Sequence, residues 1–191
     1  MRIGIALGSN LGDRLAILRA ARQAIDSLAS PLADHCGSPH LGRSDPAGSV
    51  VALAADKSST LVSPVYETEP VACEPSAGKF LNAVLEIDYD ADPTELLEML
   101  IRVEESLGRN RHHPRNAPRK IDIDLLYADE LVINNEQLQL PHPRMLQRPF
   151  VLQPLTDIRP DLILPNQTRP VSELLAHFPD STRVSCFAED W

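Results

Sequence analysis

The chain has 191 residues, and its 27 acidic residues outnumber 18 Lys and Arg to leave a net charge of −9. That balance disfavours broad contact with nucleic acid or an anionic membrane, because both need a basic field. Hydrophobic content of 43% supplies a core and excludes a disordered chain, and the length fits one domain over residues 1–191.

Residues 2–7 read as a buried strand and Gly8 to Gly12 as a loop. Asp13 is placed to cap a helix whose buried face carries Leu15, Leu18, Ile25 and Leu28, with Arg22 as its polar break. Residues 31–57 hold Pro31, Pro39, Pro46, Gly37, Gly42 and Gly48 and read as an irregular insertion. Strand chemistry returns over residues 59–68, where Pro64 requires an edge or a bulge. A loop over 69–79 leads to a third strand, Phe80 to Tyr89. Asp92-Pro93-Thr94-Glu95 then starts a helix with Pro at its first position, Leu96, Leu100, Val103 and Leu107 continue it, and Gly108 ends it. A polar loop over 109–119 precedes a fourth strand, Lys120 to Tyr127. Residues 128–191 read as a short hairpin around Asn134-Asn135 and then Pro-punctuated short helices, extending the same domain. The order β-α-β-β-α-β predicts a ferredoxin-like α+β fold, an antiparallel sheet with helices on one face.

Cys36, Cys73 and Cys186 are odd in number and widely spaced, which argues against a disulfide framework or a structural zinc site. The apolar stretch after Met1 is short for a signal peptide, and nothing approaches the roughly 18 apolar residues of a membrane span. A cytoplasmic protein is expected.

Asp122-Ile123-Asp124 is the sharpest chemical feature. Side chains alternate on a strand, so both carboxylates share one face about 7 Å apart. Two like charges there need compensation from solvent, arginines or a cation, and carboxylates with a polyphosphate are hard-oxygen ligands for Mg²⁺. An exposed edge-strand face is the alternative. Residues 102–120 carry Arg102, Arg109, Arg111, Arg115, Arg119 and Lys120 against Glu104 and Glu105. Arginine forks suit phosphate oxygens, but the same arginines could simply neutralise the two aspartates or belong to a solvated loop. Gly8-Ser9-Asn10-Leu11-Gly12 is neither a Walker A loop nor a dinucleotide fingerprint. Pro141-His142-Pro143 holds a histidine between two restricting prolines.

Five ordered motifs carry a resemblance. They are Leu7-Gly8-Ser9-Asn10-Leu11-Gly12-Asp13-Arg14, then Ser63-Pro64-Val65-Tyr66-Glu67-Thr68-Glu69-Pro70-Val71, then Phe80-Leu81-Asn82-Ala83-Val84. The stretch from Glu104 through Gly108-Arg109 to Pro118-Arg119-Lys120-Ile121-Asp122-Ile123-Asp124-Leu125-Leu126 follows, and Pro141-His142-Pro143-Arg144-Met145 with Arg148 and Phe150 closes the set. In these motifs the chain resembles the 6-hydroxymethyl-7,8-dihydropterin pyrophosphokinases of folate biosynthesis. The resemblance implies transfer of pyrophosphate from ATP to the pterin's hydroxymethyl oxygen, with release of AMP. It implies Asp122 and Asp124 as ligands of two Mg²⁺ ions, and Arg109 and Arg119 as catalytic arginines on the phosphates. Glu104, Arg111, Leu125, His142 and Arg148 match further ATP contacts, with the backbone at Leu125 beside the adenine. Thr68, Val71 and Asn82 match the pterin's polar contacts, and Phe80 and Phe150 the aromatic pair that sandwiches its ring. The implied partners are these two small molecules, with neither nucleic acid nor membrane, and the expected state is a monomer.

Two positions depart from the family's pattern: Asn116 stands where a tryptophan is usual and Ala117 where a glycine is usual. Two other readings of the same residues are a metal-dependent phosphodiesterase or nucleotidyl transferase, and a non-catalytic pterin- or nucleotide-binding module.

Overall fold

The structure is a computed structural model and describes residues 1–29, 60–70, 78–109, 118–179 and 184–191. The predicted insertion, and the loop positions Val71, Arg111, Asn116 and Ala117, lie outside the described residues.

Strand β1 (Arg2–Ser9) is an interior strand of an antiparallel sheet. It pairs on one side with β4 (Phe80–Asp88) and on the other with β5 (Asp122–Ala128). Beyond β4 come β2 (Leu61–Val62) and β3 (Val65–Thr68), and β8 (Ser185–Ala188) forms the edge, giving the order β5-β1-β4-β3-β8 with β2 also on β4. The break between β2 and β3 falls at Ser63-Pro64, where the sequence requires one. Ser63 keeps the ladder joined across it: its amide donates to the Val84 carbonyl (3.0 Å) and its Oγ accepts from the Val84 amide (2.9 Å). A two-stranded hairpin, β6 (Ile133–Asn134) with β7 (Gln139–Leu140), follows the sheet as expected around Asn134-Asn135.

Strict alternation in β1 explains the layering. Ile3, Ile5 and Leu7 point to one face and are fully buried there. Helices α1 (Arg14–Ala29) and α2 (Pro93–Ser106) cover that face with Leu18, Ala21, Ile25, Leu96 and Leu100. Both helices start as read. Asp13 Oδ1 accepts from the Ala16 amide at 3.1 Å, and Asp92 Oδ1 from the Thr94 amide at 2.6 Å. Gly108, at φ +89°, supplies the left-handed residue after α2.

The opposite face is covered too, where the sequence predicted helices on one face only. Helices α3 (Pro149–Ile158) and α4 (Val171–Ala176) set Val151, Leu155 and Val171 against Val84, Leu126 and Tyr127. On this face β1 presents Gly4, Ala6 and Gly8. The Tyr127 ring lies over Gly4, with Cδ1 and Cζ 2.7 Å from where a Cβ would sit. The ring's hydroxyl donates to Glu86, which is fully buried and also meets Arg159 at 3.2 Å. Gly4→Ala is therefore expected to cost about 2 kcal/mol, lowering the melting temperature by roughly 4–8 °C in a calorimetric scan. An unchanged melting temperature would show that the ring moves freely.

Strand β8 is an addition to the predicted elements. Ser185, Cys186 and Phe187 are exposed. A strand without a buried face shows no period-two signal. Among the described residues, no helix is long and apolar enough to cross a membrane.

Candidate active site

The α3 face of the sheet carries the predicted site residues in rows. Directly opposed residues point to the same side of a sheet, so the register Asn82–Gly8–Asp122 across β4, β1 and β5 is one such row. The pair Thr68–Phe80 lies beside it on the β3 side, and Ala6–Asp124 on the next row. Asn82 donates through Nδ2 to Thr68 Oγ1 at 2.8 Å, which fixes the amide's orientation and leaves its oxygen toward Gly8. Thr68, Phe80 and Asn82 are thus assembled as one group. Phe150 enters from the first turn of α3, on the same side of the sheet.

The phosphate-type half stands on β5. Asp122 accepts from Arg109 at 2.7 Å through one oxygen and from Arg119 at 3.0 Å through the other. Asp124 accepts from Arg148 at 3.4 Å, and the Arg148 guanidinium lies 5.7 Å from the centre of the Phe150 ring. Arg148 therefore touches both an acidic residue and an aromatic one. His142 is anchored by its amide on the Leu126 carbonyl at 2.7 Å, and its Nδ1 accepts from the Arg144 amide at 3.2 Å. The arginines neutralise the aspartates, which is the compensation that two like charges on one strand face demand.

Electrostatics follow from that crowding. Burial, and next the charge of Asp122, raise the Asp124 carboxyl above its ordinary value against the pull of His142, Arg148 and Arg109. Burial lowers the His142 imidazole, and Arg148 and Arg144 add to that while Asp124 opposes it. Burial works against the charge of Arg109, but Asp122 and Glu104 outweigh it and hold the guanidinium above its usual range.

Two predicted residues stand differently from what their names suggest. Glu104 is 2% exposed and accepts from the Ile123 amide at 2.7 Å and from Arg109. It joins α2 to the backbone between the two aspartates and holds one arginine. The Leu125 side chain is buried in the core under α1 and α2, and its backbone pairs with Ile5.

Gly8 and Ser9, expected from the sequence to open a loop, are the end of β1, and Ser9 with Asn10 at the turn beyond it supplies a support that the sequence left without a role. Asn10, 6% exposed, accepts through Oδ1 from the Arg119 amide at 2.8 Å and donates through Nδ2 to the Gly78 carbonyl at 3.5 Å. Ser9 Oγ donates to the Lys120 carbonyl at 2.5 Å. The turn therefore ties the segment before β5 to the segment before β4. Arg14 adds a second staple, donating to Glu67 at 3.0 Å and to the Lys79 carbonyl at 2.9 Å. The available signal was a polar Ser-Asn pair directly after a buried strand, where unpaired polar groups are disfavoured.

Known proteins resemble this chain in sequence and in fold. The family described as 7,8-dihydro-6-hydroxymethylpterin-pyrophosphokinase matches residues 4–160, a span that includes every described site residue above. A Bacillus subtilis 2-amino-4-hydroxy-6-hydroxymethyldihydropteridine pyrophosphokinase is 40% identical over 154 residues, covering 81% of this chain and 75% of the relative. The protein of the same description from Methylorubrum extorquens is 36% identical over 180 residues, 94% of this chain and 95% of the relative. Among solved structures, the wild-type HPPK-DHPS of Plasmodium falciparum superposes with a TM-score of 0.60 at 12% identity, over 92% of this chain and 44% of that one. That likeness concerns the fold, and this chain spans less than half of the longer protein. On the span of the family match and the identity to full-length relatives, the chain belongs to the 7,8-dihydro-6-hydroxymethylpterin-pyrophosphokinase family.

Proposed function

We propose that the protein transfers the β,γ-pyrophosphoryl group of ATP to the hydroxymethyl oxygen of 6-hydroxymethyl-7,8-dihydropterin, releasing AMP, as its family's name describes. The observation that carries this reading is the adjacency of two half-sites on one sheet face. The group Thr68, Phe80 and Asn82 with Phe150 suits a flat, polar-edged ring, and Asp122 and Asp124 with three arginines suit a triphosphate.

In the reaction the hydroxymethyl oxygen bonds to the β-phosphorus and the bond from that phosphorus to the α,β-bridging oxygen breaks. AMP leaves with the bridging oxygen, and the hydroxyl proton is lost. Asn82 and Thr68 orient the ring's polar edge, and Phe80 and Phe150 hold its faces. Arg109, Arg119 and Arg148 exchange their aspartate partners for phosphate oxygens, which supplies positioning and charge neutralisation. Glu104 holds Arg109 and the β5 backbone while this happens. His142 and the Leu125 backbone border the nucleotide, and Arg111 and Val71 complete the proposed contacts from outside the described residues.

The donor set fits Mg²⁺. Two half-buried carboxylates face the same way, and the cation's remaining positions are typically filled by water and phosphate oxygens. When bound at Asp122 and Asp124, two such ions would neutralise triphosphate charge and lower the pKa of the attacking hydroxyl.

The reading takes residues 1–191 as one ferredoxin-like domain with the β6–β7 hairpin, α3, α4 and β8 as its extension. The observed strand order supports it. It also takes the working unit as a cytoplasmic monomer, since one chain contributes every described site residue. A coupled assay for AMP with ATP, Mg²⁺ and the hydroxymethyl-dihydropterin is expected to show pterin-dependent turnover. Release of pyrophosphate would instead point to a nucleotidyl transferase. Binding without turnover would point to a non-catalytic module.

A further inference from the structure

Strand β1 carries two glycines on the α3 face, and neither has a positive φ that would require glycine. Each therefore owes its identity to what lies over it. Gly4 is roofed by the Tyr127 ring, whose atoms fill the space of a side chain. Gly8 is buried and has no ring seated on it. Three side chains converge there: a Cβ would meet Asn82 Oδ1 at 3.3 Å, Asp122 Cβ at 3.8 Å and Phe80 Cδ1 at 3.9 Å.

Those three residues come from both half-sites. Asn82 and Phe80 belong to the aromatic, amide-bearing group, and Asp122 to the carboxylate pair. Gly8 is the point in the β4–β1–β5 row where the two groups meet. A side chain at this position would press first on the Asn82 oxygen. That amide has little freedom to yield, because its nitrogen is held on Thr68 Oγ1. The Asp122 contact would be an ordinary van der Waals one.

From this we infer that Gly8 is a positioning residue for the acceptor substrate. Its missing side chain sets the gap between the ring-binding group and the carboxylate pair, so that the acceptor's hydroxymethyl group reaches across β1 from Asn82 to Asp122. The inference rests on the reaction proposed above. It adds the residue that spaces the two substrates and predicts an asymmetry: enlarging residue 8 harms the pterin side and spares the nucleotide.

The test is a graded series, Gly8→Ala and Gly8→Val, with Gly4→Ala as the comparison. For each variant, the pterin KM and kcat are measured by AMP release, the Kd of a non-hydrolysable ATP analogue by calorimetry without pterin, and the melting temperature by scanning. Gly8→Ala is expected to raise the pterin KM roughly tenfold, and Gly8→Val more, while the analogue's Kd stays within about twofold. Gly4→Ala is expected to show the reverse, a lower melting temperature with the pterin KM unchanged. The inference is overturned by a pterin KM within about twofold of wild type in Gly8→Ala. It is equally overturned if pterin affinity, nucleotide affinity and melting temperature fall together, the signature of a glycine needed only for packing. Wild-type protein without pterin-dependent AMP release would overturn the proposed reaction as well, whereas active wild type with an indifferent residue 8 would overturn this inference alone.

Discussion

Asp122→Ala is expected to lower kcat/KM by at least about a thousandfold while moving the melting temperature by only a few degrees. The activity loss follows from position. Asp122 is the residue on which Arg109 and Arg119 converge, and it stands next to Gly8 at the junction of the two half-sites. Its loss removes one of two proposed cation ligands and releases both arginines from their common anchor. Stability is affected little because the ion pairs are about a quarter exposed on each side, so solvent replaces much of what is lost. Burial is the main cause that raises the Asp124 carboxyl, and removing Asp122 relieves the repulsion that adds to it. Titration of AMP release against enzyme, alongside a thermal scan, measures both halves of this expectation. Near-normal turnover would remove Asp122 from the machinery, and a collapse of the fold would recast it as structural.

Glu104→Ala is expected to act mainly on stability, costing about 2–3 kcal/mol, or a fall of roughly 5–10 °C in melting temperature. The carboxylate is 2% exposed and receives both a backbone amide of β5 and a guanidinium. Alanine leaves the Ile123 amide without that acceptor and Arg109 with Asp122 alone. Glu104→Gln keeps an oxygen for the amide and loses only the charge, so its cost is expected to be about 1 kcal/mol. Because Arg109 loses the Glu104 charge in both, the KM for ATP is expected to rise in both, and more in the alanine variant. If the alanine variant melts with wild type, the tie between α2 and β5 contributes nothing. If it melts lower but binds ATP normally, Arg109 does not depend on Glu104.

Much of this was legible in the sequence because the signals are local. The run Ile3-Gly4-Ile5-Ala6-Leu7 marks β1, although the strand continues through Gly8 and Ser9 where a loop was expected, Asp92-Pro93 marks the start of α2, and Gly108 marks its end. The Asp122–Asp124 spacing places two carboxylates on one face whatever the tertiary fold. What stayed hidden depends on distant partners. Ser185 and Cys186 become a strand only because β3 offers an open edge more than a hundred residues earlier in the chain. Glu86 sits inside an apolar run and is tolerated because Tyr127, Arg159 and Arg2 meet it. The roles of Asn10 and Arg14 are bonds to residues brought near by the sheet, which no spacing in the sequence announces. The five motifs identified the family, but which arginine pairs with which aspartate appears only in three dimensions.

The interior place of β1 has a kinetic consequence. Its first neighbour in the sheet begins at Phe80 and its second at Asp122, so both pairings close long loops before any contact rewards them. Helices α1 and α2 are local structures and can form early, yet of the candidate site residues they carry Glu104 alone. A partly folded chain with its helices docked thus has no catalytic apparatus at all. Recovery of turnover after dilution from denaturant is expected to lag behind the recovery of helix signal, and recovery of both at one rate would show that β1 pairs as early as α1 and α2 form.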